Sequence, residues 1–222
     1  MAIPLPAKLA SGVLVGGTLA AGGSFLYKGT SNSKTYSIKD LLASKNPEKR
    51  LISSSYNDSS VEWKAVWKAY KDTYQNKDGN PFSLTSVQFT SDTNVPSEFI
   101  NSCESWFMKQ VVDDKDERYK TVLSYCTRDT LVKDLILESN RKLVSDSGGN
   151  WNEIWKDYRK VNEGKEKGKD TWQLTDWETK KDQDSSVSED LPKKCKEKLE
   201  GKSGGSSVND YQDVVNWCSI PK

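Results

Sequence analysis

Two stretches of sequence decide the fold: WKAVWKAY at residues 63–70 and WNEIWKDY at residues 151–158. Both follow the pattern W-x3-W-x2-Y, so their aromatic side chains recur at i, i+4 and i+7, the spacing of one helix face. We expect this face to pack into a hydrophobic core, because amphipathic helices normally bury such a stripe. An exposed aromatic stripe that binds a ligand is the alternative. The residues concerned are Trp63, Trp67, Tyr70, Trp151, Trp155 and Tyr158.

The cysteines extend this likeness between the two parts of the chain. Each member of a Cys–Tyr–Cys series recurs 92 residues later, and the aromatic stretches lie 88 residues apart. Chance rarely produces so many matches among rare residue types, so we predict two tandem copies of one small helical unit. The series is Cys103, Tyr119 and Cys126 in the first copy and Cys195, Tyr211 and Cys218 in the second.

A disulfide bond within each copy is expected. Four cysteines allow three pairings, but a unit that once folded alone must have paired its own two. This predicts the bridges Cys103–Cys126 and Cys195–Cys218. Disulfides form on the oxidising side of a membrane, so they would place this region outside the cell. Four reduced, buried thiols are the alternative.

The first cysteine of each copy follows a proline suited to the start of a helix. Pro96 and Pro192 each come shortly after an N-cap-like residue. Cys103 lies seven residues past its proline, whereas Cys195 lies only three past. The difference is close to one helical turn, so we expect one extra turn in the first copy.

The composition excludes several classes of function. The 33 basic and 32 acidic residues nearly cancel, whereas a nucleic-acid-binding protein normally carries a basic excess. Histidine is absent, which removes the commonest general base and the commonest metal ligand. The patterns typical of zinc, calcium and phosphate-binding sites are incomplete. We therefore expect no enzyme activity, no catalytic residues, no cofactor, no metal and no nucleic-acid partner.

The N-terminus carries an apolar run from Leu9 to Tyr27, nineteen residues without a charge. About 20 such residues span a bilayer, so we predict a single transmembrane helix. Gly12 and Gly16 form a small-xxx-small pair that would let two such helices pack closely. A cleaved signal peptide is the alternative. Basic residues stand on both sides of the run, so the cysteines, and not the positive-inside rule, suggest an extracellular C-terminal region.

The predicted fold is therefore mainly α: an N-terminal transmembrane helix followed by two tandem helical repeats, each with a disulfide-clipped helix pair. Residues 130–140 are expected to form a short linking helix, and residues 82–90 a strand or an extended loop. The predicted segments are an anchor at 1–28, a polar tether at 29–48, repeat one at 49–140 and repeat two at 141–222.

The two ends of the chain resemble a known group of proteins. PLPAKLASGV at residues 4–13, followed by a glycine-rich run, is similar to the opening of the large paralogous families of haemotropic mycoplasmas. WCSIP at residues 217–221 resembles the ends of those proteins. The resemblance covers the anchor and the cysteine helices. It implies an uncharacterised membrane protein that is exposed on the cell surface and diversifies antigenically, and it implies no catalytic residues.

These features lead to an expected function. The chain would be a membrane-anchored surface protein, single-pass in the cell membrane, that serves host interaction or antigenic variation. Its partners would be the membrane, through the N-terminal helix, and a host protein or host cell surface. A structural or assembly protein, with anchors paired through Gly12 and Gly16, is the second hypothesis. An enzyme of unfamiliar type ranks last.

Overall fold

The structure is a computed structural model that describes residues 34–90, 94–144, 151–183, 186–203 and 210–222. The predicted anchor, with Gly12 and Gly16, lies outside these residues. None of the helices described is both long enough and apolar enough to cross a membrane. The described chain is mainly helical, and residues 34–222 form one unit.

The first half, residues 34–130, contains five helices and four short strands among its described residues. Its longest helix carries the first aromatic stretch. In chain order the elements are β1 (Tyr36–Ser37), α1 (Ile38–Lys45), β2 (Lys49–Leu51), α2 (Val61–Tyr74), α3 (Ser86–Phe89), α4 (Ser97–Phe107), β3 (Gln110–Val111), α5 (Glu117–Tyr125) and β4 (Thr127–Asp129).

The second half, residues 131–222, repeats much of this order. A first helix and a short strand precede the helix with the second aromatic stretch, and the half again ends in a helix and a strand. The elements are α6 (Val132–Glu138), β5 (Arg141–Leu143), α7 (Trp151–Val161), α8 (Trp177–Lys180), α9 (Asp190–Leu199), α10 (Tyr211–Cys218) and β6 (Ser219–Pro221).

A two-stranded antiparallel sheet closes each half. In the first half β2 pairs with β4, with Leu51 opposite Thr127; in the second, β5 pairs with β6, with Leu143 opposite Ser219. Both sheets join the strand after the first helix to the last strand of the same half. A second antiparallel pair, β1 with β3, lies at the start of the first half. In the second half an isolated bridge between residues 131 and 202 takes its place.

The buried hydrophobic side chains form two separate clusters. The first comprises residues between Ile38 and Cys126, and the second comprises residues between Val132 and Cys218. Large aromatic rings fill both clusters, which suits a chain of low mean hydropathy, −0.77, because each ring buries roughly 150–250 Å². Each half therefore has its own core.

Local sequence explains why α2 forms where it does. The Ser60 hydroxyl accepts a hydrogen bond from the Trp63 backbone N–H at 3.3 Å, which caps the first turn. From there the apolar positions recur every three or four residues, and Trp63, Val66, Trp67 and Tyr70 are buried. In α7 the corresponding buried residues are Ile154, Trp155 and Tyr158.

Both predicted disulfide bonds are present. Cys103 of α4 is bonded to Cys126 at the end of α5, and Cys195 of α9 is bonded to Cys218 at the end of α10. The expected extra turn in the first copy is wrong. Pro96 is the N-cap of α4, whereas α9 begins two residues before Pro192, so the two cysteines sit at similar depths in their helices.

The polar tether predicted over residues 29–48 is wrong for its described part. Ile38 to Lys45 form α1, and Ile38, Leu41 and Leu42 are buried in the first core. The Ser37 hydroxyl caps this helix by accepting from the Asp40 N–H at 3.1 Å. A helix that buries three aliphatic side chains is part of the folded unit and cannot act as a spacer.

Two other local predictions also need correction. The linking helix expected over residues 130–140 is α6, and its buried Val132 and Ile136 belong to the second core. The second unit thus begins before the predicted boundary at residue 141. Residues 82–90, expected as a strand or an extended loop, contain the short helix α3, whose Phe89 is buried in the first core.

The two halves meet at a polar joint. Arg128, in β4, forms a bidentate ion pair with Asp134 of α6, with nitrogen–oxygen distances of 2.6 and 2.9 Å. Lys202 contacts the Asp129 carboxylate at 2.6 Å. The backbone N–H of Ser203 donates to the carbonyl of residue 130 at 2.8 Å. Ion pairs and hydrogen bonds thus connect two halves that have separate cores.

Candidate functional site

The aromatic stripes lie in the two cores and not on an exposed binding surface. Six of the eight predicted aromatic residues are buried: Trp63, Trp67, Tyr70, Tyr119, Trp155 and Tyr158. Trp151 and Tyr211 are partly buried and pack against the second core. A ligand therefore cannot reach the six buried rings without unfolding the helices that carry them.

A buried tyrosine organises the first half around a polar centre. The Tyr70 hydroxyl donates to the Asn80 side-chain oxygen at 2.7 Å and accepts from the Phe82 backbone N–H at 3.1 Å. The same Asn80 oxygen accepts from the Leu84 N–H, while its Nδ2 donates to the Leu84 carbonyl. Every polar atom of the asparagine side chain is thereby satisfied. Ser83, which lies between Phe82 and Leu84 in the chain, has a positive φ of 54°.

The second half builds the same centre with a carboxylate. The Tyr158 hydroxyl donates to Asp170 Oδ2 at 2.5 Å and accepts from the Trp172 N–H at 2.9 Å. Asp170 Oδ2 also accepts from the Leu174 N–H at 2.9 Å, and Gln173 holds a φ of 52°. Burial raises the pKa of Tyr158, and the hydrogen bond to Asp170 raises it further.

The exchange of asparagine for aspartate leaves a buried atom without a partner. Asp170 is 2% exposed, and its Oδ1 has no hydrogen-bond partner among the described residues. At the equivalent place in the first half, Asn80 uses its Nδ2 as a donor. A buried unpaired oxygen costs stability, so it needs a structural or functional reason.

Beside the polar centre of the second half, charged residues stand where the first half has aromatic packing. In the first half, Phe82 and Trp106 meet edge to face at 4.9 Å between centroids. The position equivalent to Trp106, 92 residues later, is Lys198, whose Nζ lies 5.3 Å from the centroid of the Trp172 ring. Lys198 also forms an ion pair with Asp210. The second half therefore has a charged cluster, Lys198, Asp210, Asp213 and Lys165, next to Trp172.

This charged cluster is partly desolvated. Burial raises the pKa of Asp213, the neighbouring Asp210 carboxylate raises it further, and Lys198 and Lys165 act in the opposite direction. Asp210 Oδ1 and Trp172 Nε1 are buried and lack a hydrogen-bond partner in the described part of the chain. Such atoms suit an ordered water molecule or a small polar group that offers both a donor and an acceptor.

A groove of about 740 Å³ lies in the same half and shares Lys165 with the charged cluster. Gly164, at its rim, has a φ of 74°, which a glycine adopts at little cost. Basic and acidic side chains share the lining, and the buried Trp177 closes it. The charged lining residues are Lys156, Arg159, Lys160, Glu163, Lys165, Glu166, Lys181 and Asp182.

Within the described ranges, no group of three or more cysteine, aspartate or glutamate side chains is placed to hold a metal ion. The hydroxyl of Tyr158 is committed to its two hydrogen bonds. The groove and the charged cluster offer shape and charge to a polar partner.

Sequence reasoning missed the polar centres. The signal was present as NPFSL at residues 80–84 and DTWQL at residues 170–174, in which an amide or carboxylate precedes an aromatic residue by two and a leucine by four. These positions contain no Trp–Trp or cysteine pair that would draw attention to them. The positive φ angles at Ser83 and Gln173 are also unexpected, since neither is a glycine.

No protein-family model matches the chain, and neither a curated protein nor a solved structure matches it. Its function therefore has to be inferred from its residues and its geometry alone.

Proposed function

We propose that this chain is a membrane-anchored surface protein in which two copies of a disulfide-closed helical module are displayed outside the cell. The observation that carries this proposal is that each half has its own core and its own disulfide bond. Disulfide bonds are typical of extracellular proteins with small cores. The apolar run at residues 9–27 would supply the anchor.

The duplication is supported by contacts that recur with a spacing of 92 residues. The Ile52 N–H donates to the Cys126 carbonyl at 3.0 Å, and the Val144 N–H donates to the Cys218 carbonyl at 3.1 Å. The three Cα pairs of β2–β4 and the three of β5–β6 also correspond at this spacing. Thr127 and Ser219, again 92 apart, both donate from their hydroxyls to the carbonyl four residues before.

The differences between the halves favour a display function. The contacts that recur lie inside each half. An outer segment differs in length: the segment between Tyr158 and Asp170 is two residues longer than that between Tyr70 and Asn80. The longer segment is charged and forms one rim of the groove. A constant frame with variable, charged outer segments is what antigenic variation or a changing host partner requires.

The resemblance to the paralogous proteins of haemotropic mycoplasmas gives the proposal its biological setting. A wall-less bacterium would expose this unit directly to host cells or plasma. The partner would then be a host protein or a host cell surface, bound through polar side chains of the outer segments. No enzyme activity forms part of the proposal.

Labelling of intact cells with a membrane-impermeant, amine-reactive biotin tests this display. Exposed lysines such as Lys64 and Lys167 should be labelled on intact cells as fully as on permeabilised cells. A cytoplasmic protein probed in the same samples serves as the control and should be labelled only after permeabilisation. Labelling of this chain only after permeabilisation would overturn the proposed location.

A further inference from the structure

Three of the seven large hydrophobic side chains that are exposed among the described residues lie on or beside the β1–β3 pair. Tyr36 is 37% exposed, Met108 is 67% exposed and Val112 is 53% exposed. Tyr36 belongs to β1, Met108 is the C-cap of α4, and Val112 follows the last residue of β3. We call the strand pair together with these three residues the β1–β3 edge.

The equivalent edge of the second half is already a docking surface. The bridge between Leu131 and Lys202 stands where β1 pairs with β3, and there Lys202 contacts Asp129 of the first half. The residue equivalent to Met108 is Glu200, which accepts from Lys133 at 2.7 Å. Polar contacts thus occupy this edge in the second half, whereas the first half leaves Tyr36, Met108 and Val112 exposed there, beside the exposed Lys109 and Gln110.

The chain itself limits what can cover the β1–β3 edge. Only eight residues lie between Tyr27, the end of the apolar run, and Tyr36. Fully extended, they reach at most about 30 Å. If the run spans a bilayer, the β1–β3 edge is held close to the lipid surface at an effective concentration on the order of millimolar.

The residue types at this edge match the interfacial layer of a bilayer. Tyrosine is enriched at the level of the lipid headgroups, and Lys34 places its ammonium group 5.1 Å from the Tyr36 ring centroid. A lysine there can extend towards phosphates while its stem stays on apolar surface. Asp113 and Asp114 follow Val112, so net positive charge is not what draws this edge to lipid.

We propose that the β1–β3 edge, through Tyr36, Met108 and Val112, rests on the lipid surface and fixes the orientation of the first half on the membrane. This inference rests on the proposed membrane anchor. Contact through tyrosine and apolar side chains predicts that uncharged phosphatidylcholine is a sufficient partner.

Photocrosslinking of the full-length protein in phosphatidylcholine vesicles tests this inference. The photoreactive amino acid p-benzoylphenylalanine replaces Met108 or Val112 in separate variants. Val87 and Val161, which are 72% and 58% exposed, are the matched control positions. All four sites are exposed, so a bulky side chain should leave the fold intact, which non-reducing peptide maps of the two disulfide bonds can check.

Flotation of the vesicles is measured first, followed by mass spectrometry of lipid adducts. The inference predicts that the protein floats with the vesicles and that positions 108 and 112 give at least fivefold more lipid adduct than positions 87 and 161. Equal adduct yields in a protein that floats would overturn the lipid contact while the anchor stands. A protein that does not float would overturn the anchor, and the lipid contact with it.

Discussion

At the scale of single residues, two side chains mark a difference between the halves. Asn80 and Asp170 hold the same place beneath a buried tyrosine, and both accept from a leucine N–H. The amide satisfies both of its polar atoms, whereas the carboxylate leaves Oδ1 without a partner in the described chain. The second half therefore has, beside its charged cluster, a buried oxygen without a hydrogen-bond partner. The equivalent atom of the first half has a partner.

Replacing Asp170 with Asn should stabilise the second half. The new amide nitrogen can donate, as Asn80 Nδ2 does to the Leu84 carbonyl, and the buried charge disappears. We expect the free energy of unfolding at pH 7 to rise by about 1–3 kcal/mol. The matched variant Asn80→Asp should lower it by a similar amount. Urea denaturation of both variants measures these changes, and destabilisation by Asp170→Asn would contradict the assignment.

Because Asp134 is ion-paired in the polar joint, the free energy of unfolding should depend on pH. Burial raises the pKa of Asp134, but the hydrogen bonds from Arg128 and from the Leu131 N–H outweigh it, so the net shift is downward. A lowered pKa means that the folded state favours the charged carboxylate. This stabilisation is complete above the unfolded pKa of about 4 and is lost as the pH falls through the lower folded value.

The variant Asp134→Asn removes this contribution, so its unfolding free energy should fall less steeply than that of the parent below about pH 4. Urea titrations at several pH values provide the comparison. Asp72→Asn is the control, because Asp72 forms an exposed ion pair with Lys68 and such pairs contribute little. Parallel curves for the parent and Asp134→Asn would show that the joint does not titrate as described.

At the scale of elements, two links close each half near its C-terminal end: a disulfide bond and a two-stranded sheet. The disulfide bond joins the last two long helices, and the two-stranded sheet joins the last strand to the strand after the first helix. The Ile52 N–H bonds to the carbonyl of Cys126, so the sheet and the disulfide meet at one residue. Short helices, which are marginal alone, are thereby held against a small core.

Removing one bridge should weaken its own half. The double variant Cys103→Ser/Cys126→Ser opens a loop closed over 23 residues and should lower the free energy of unfolding by about 3 kcal/mol in the chain-entropy model. Hydrogen exchange should locate the lost protection in α4 and α5. The control Cys195→Ser/Cys218→Ser should move the loss to α9 and α10. Loss spread evenly over both halves would argue against separate units.

Some helices could be predicted from the sequence and others could not, for physical reasons. W-x3-W-x2-Y marks α2 and α7 because the aromatic spacing is that of a helix face, and the recurring cysteines give the bridges. The first helices are less visible, although IKDLL at residues 38–42 and VKDLI at 132–136 are alike. Short aliphatic segments fit many structures, and their place is decided by tertiary pairing with distant strands. The charged cluster depends on such contacts too.

At the scale of the whole molecule, the described chain is two cores and one polar joint. Ion pairs and hydrogen bonds, such as Arg128–Asp134 and Lys202–Asp129, connect the halves. A polar contact of this kind transmits less cooperativity than a shared core. The halves should therefore respond separately when one core is damaged.

A cavity in one core tests that separation. Trp155→Ala should cost the second half about 3–5 kcal/mol and reduce hydrogen-exchange protection in α7 and α10. Protection in α2 and α5 should stay as in the parent. The counterpart Trp67→Ala should give the reverse pattern. If either variant lowered protection equally in both halves, the chain would be one cooperative unit.

We propose that the chain is a pair of disulfide-closed modules displayed on the oxidising side of a membrane. The most direct measurement is a peptide map, with and without reductant, of the protein taken from native membranes after thiols have been trapped. We predict the bridges Cys103–Cys126 and Cys195–Cys218 and no trapped thiol. Four trapped thiols would place the chain in a reducing compartment and contradict the claim.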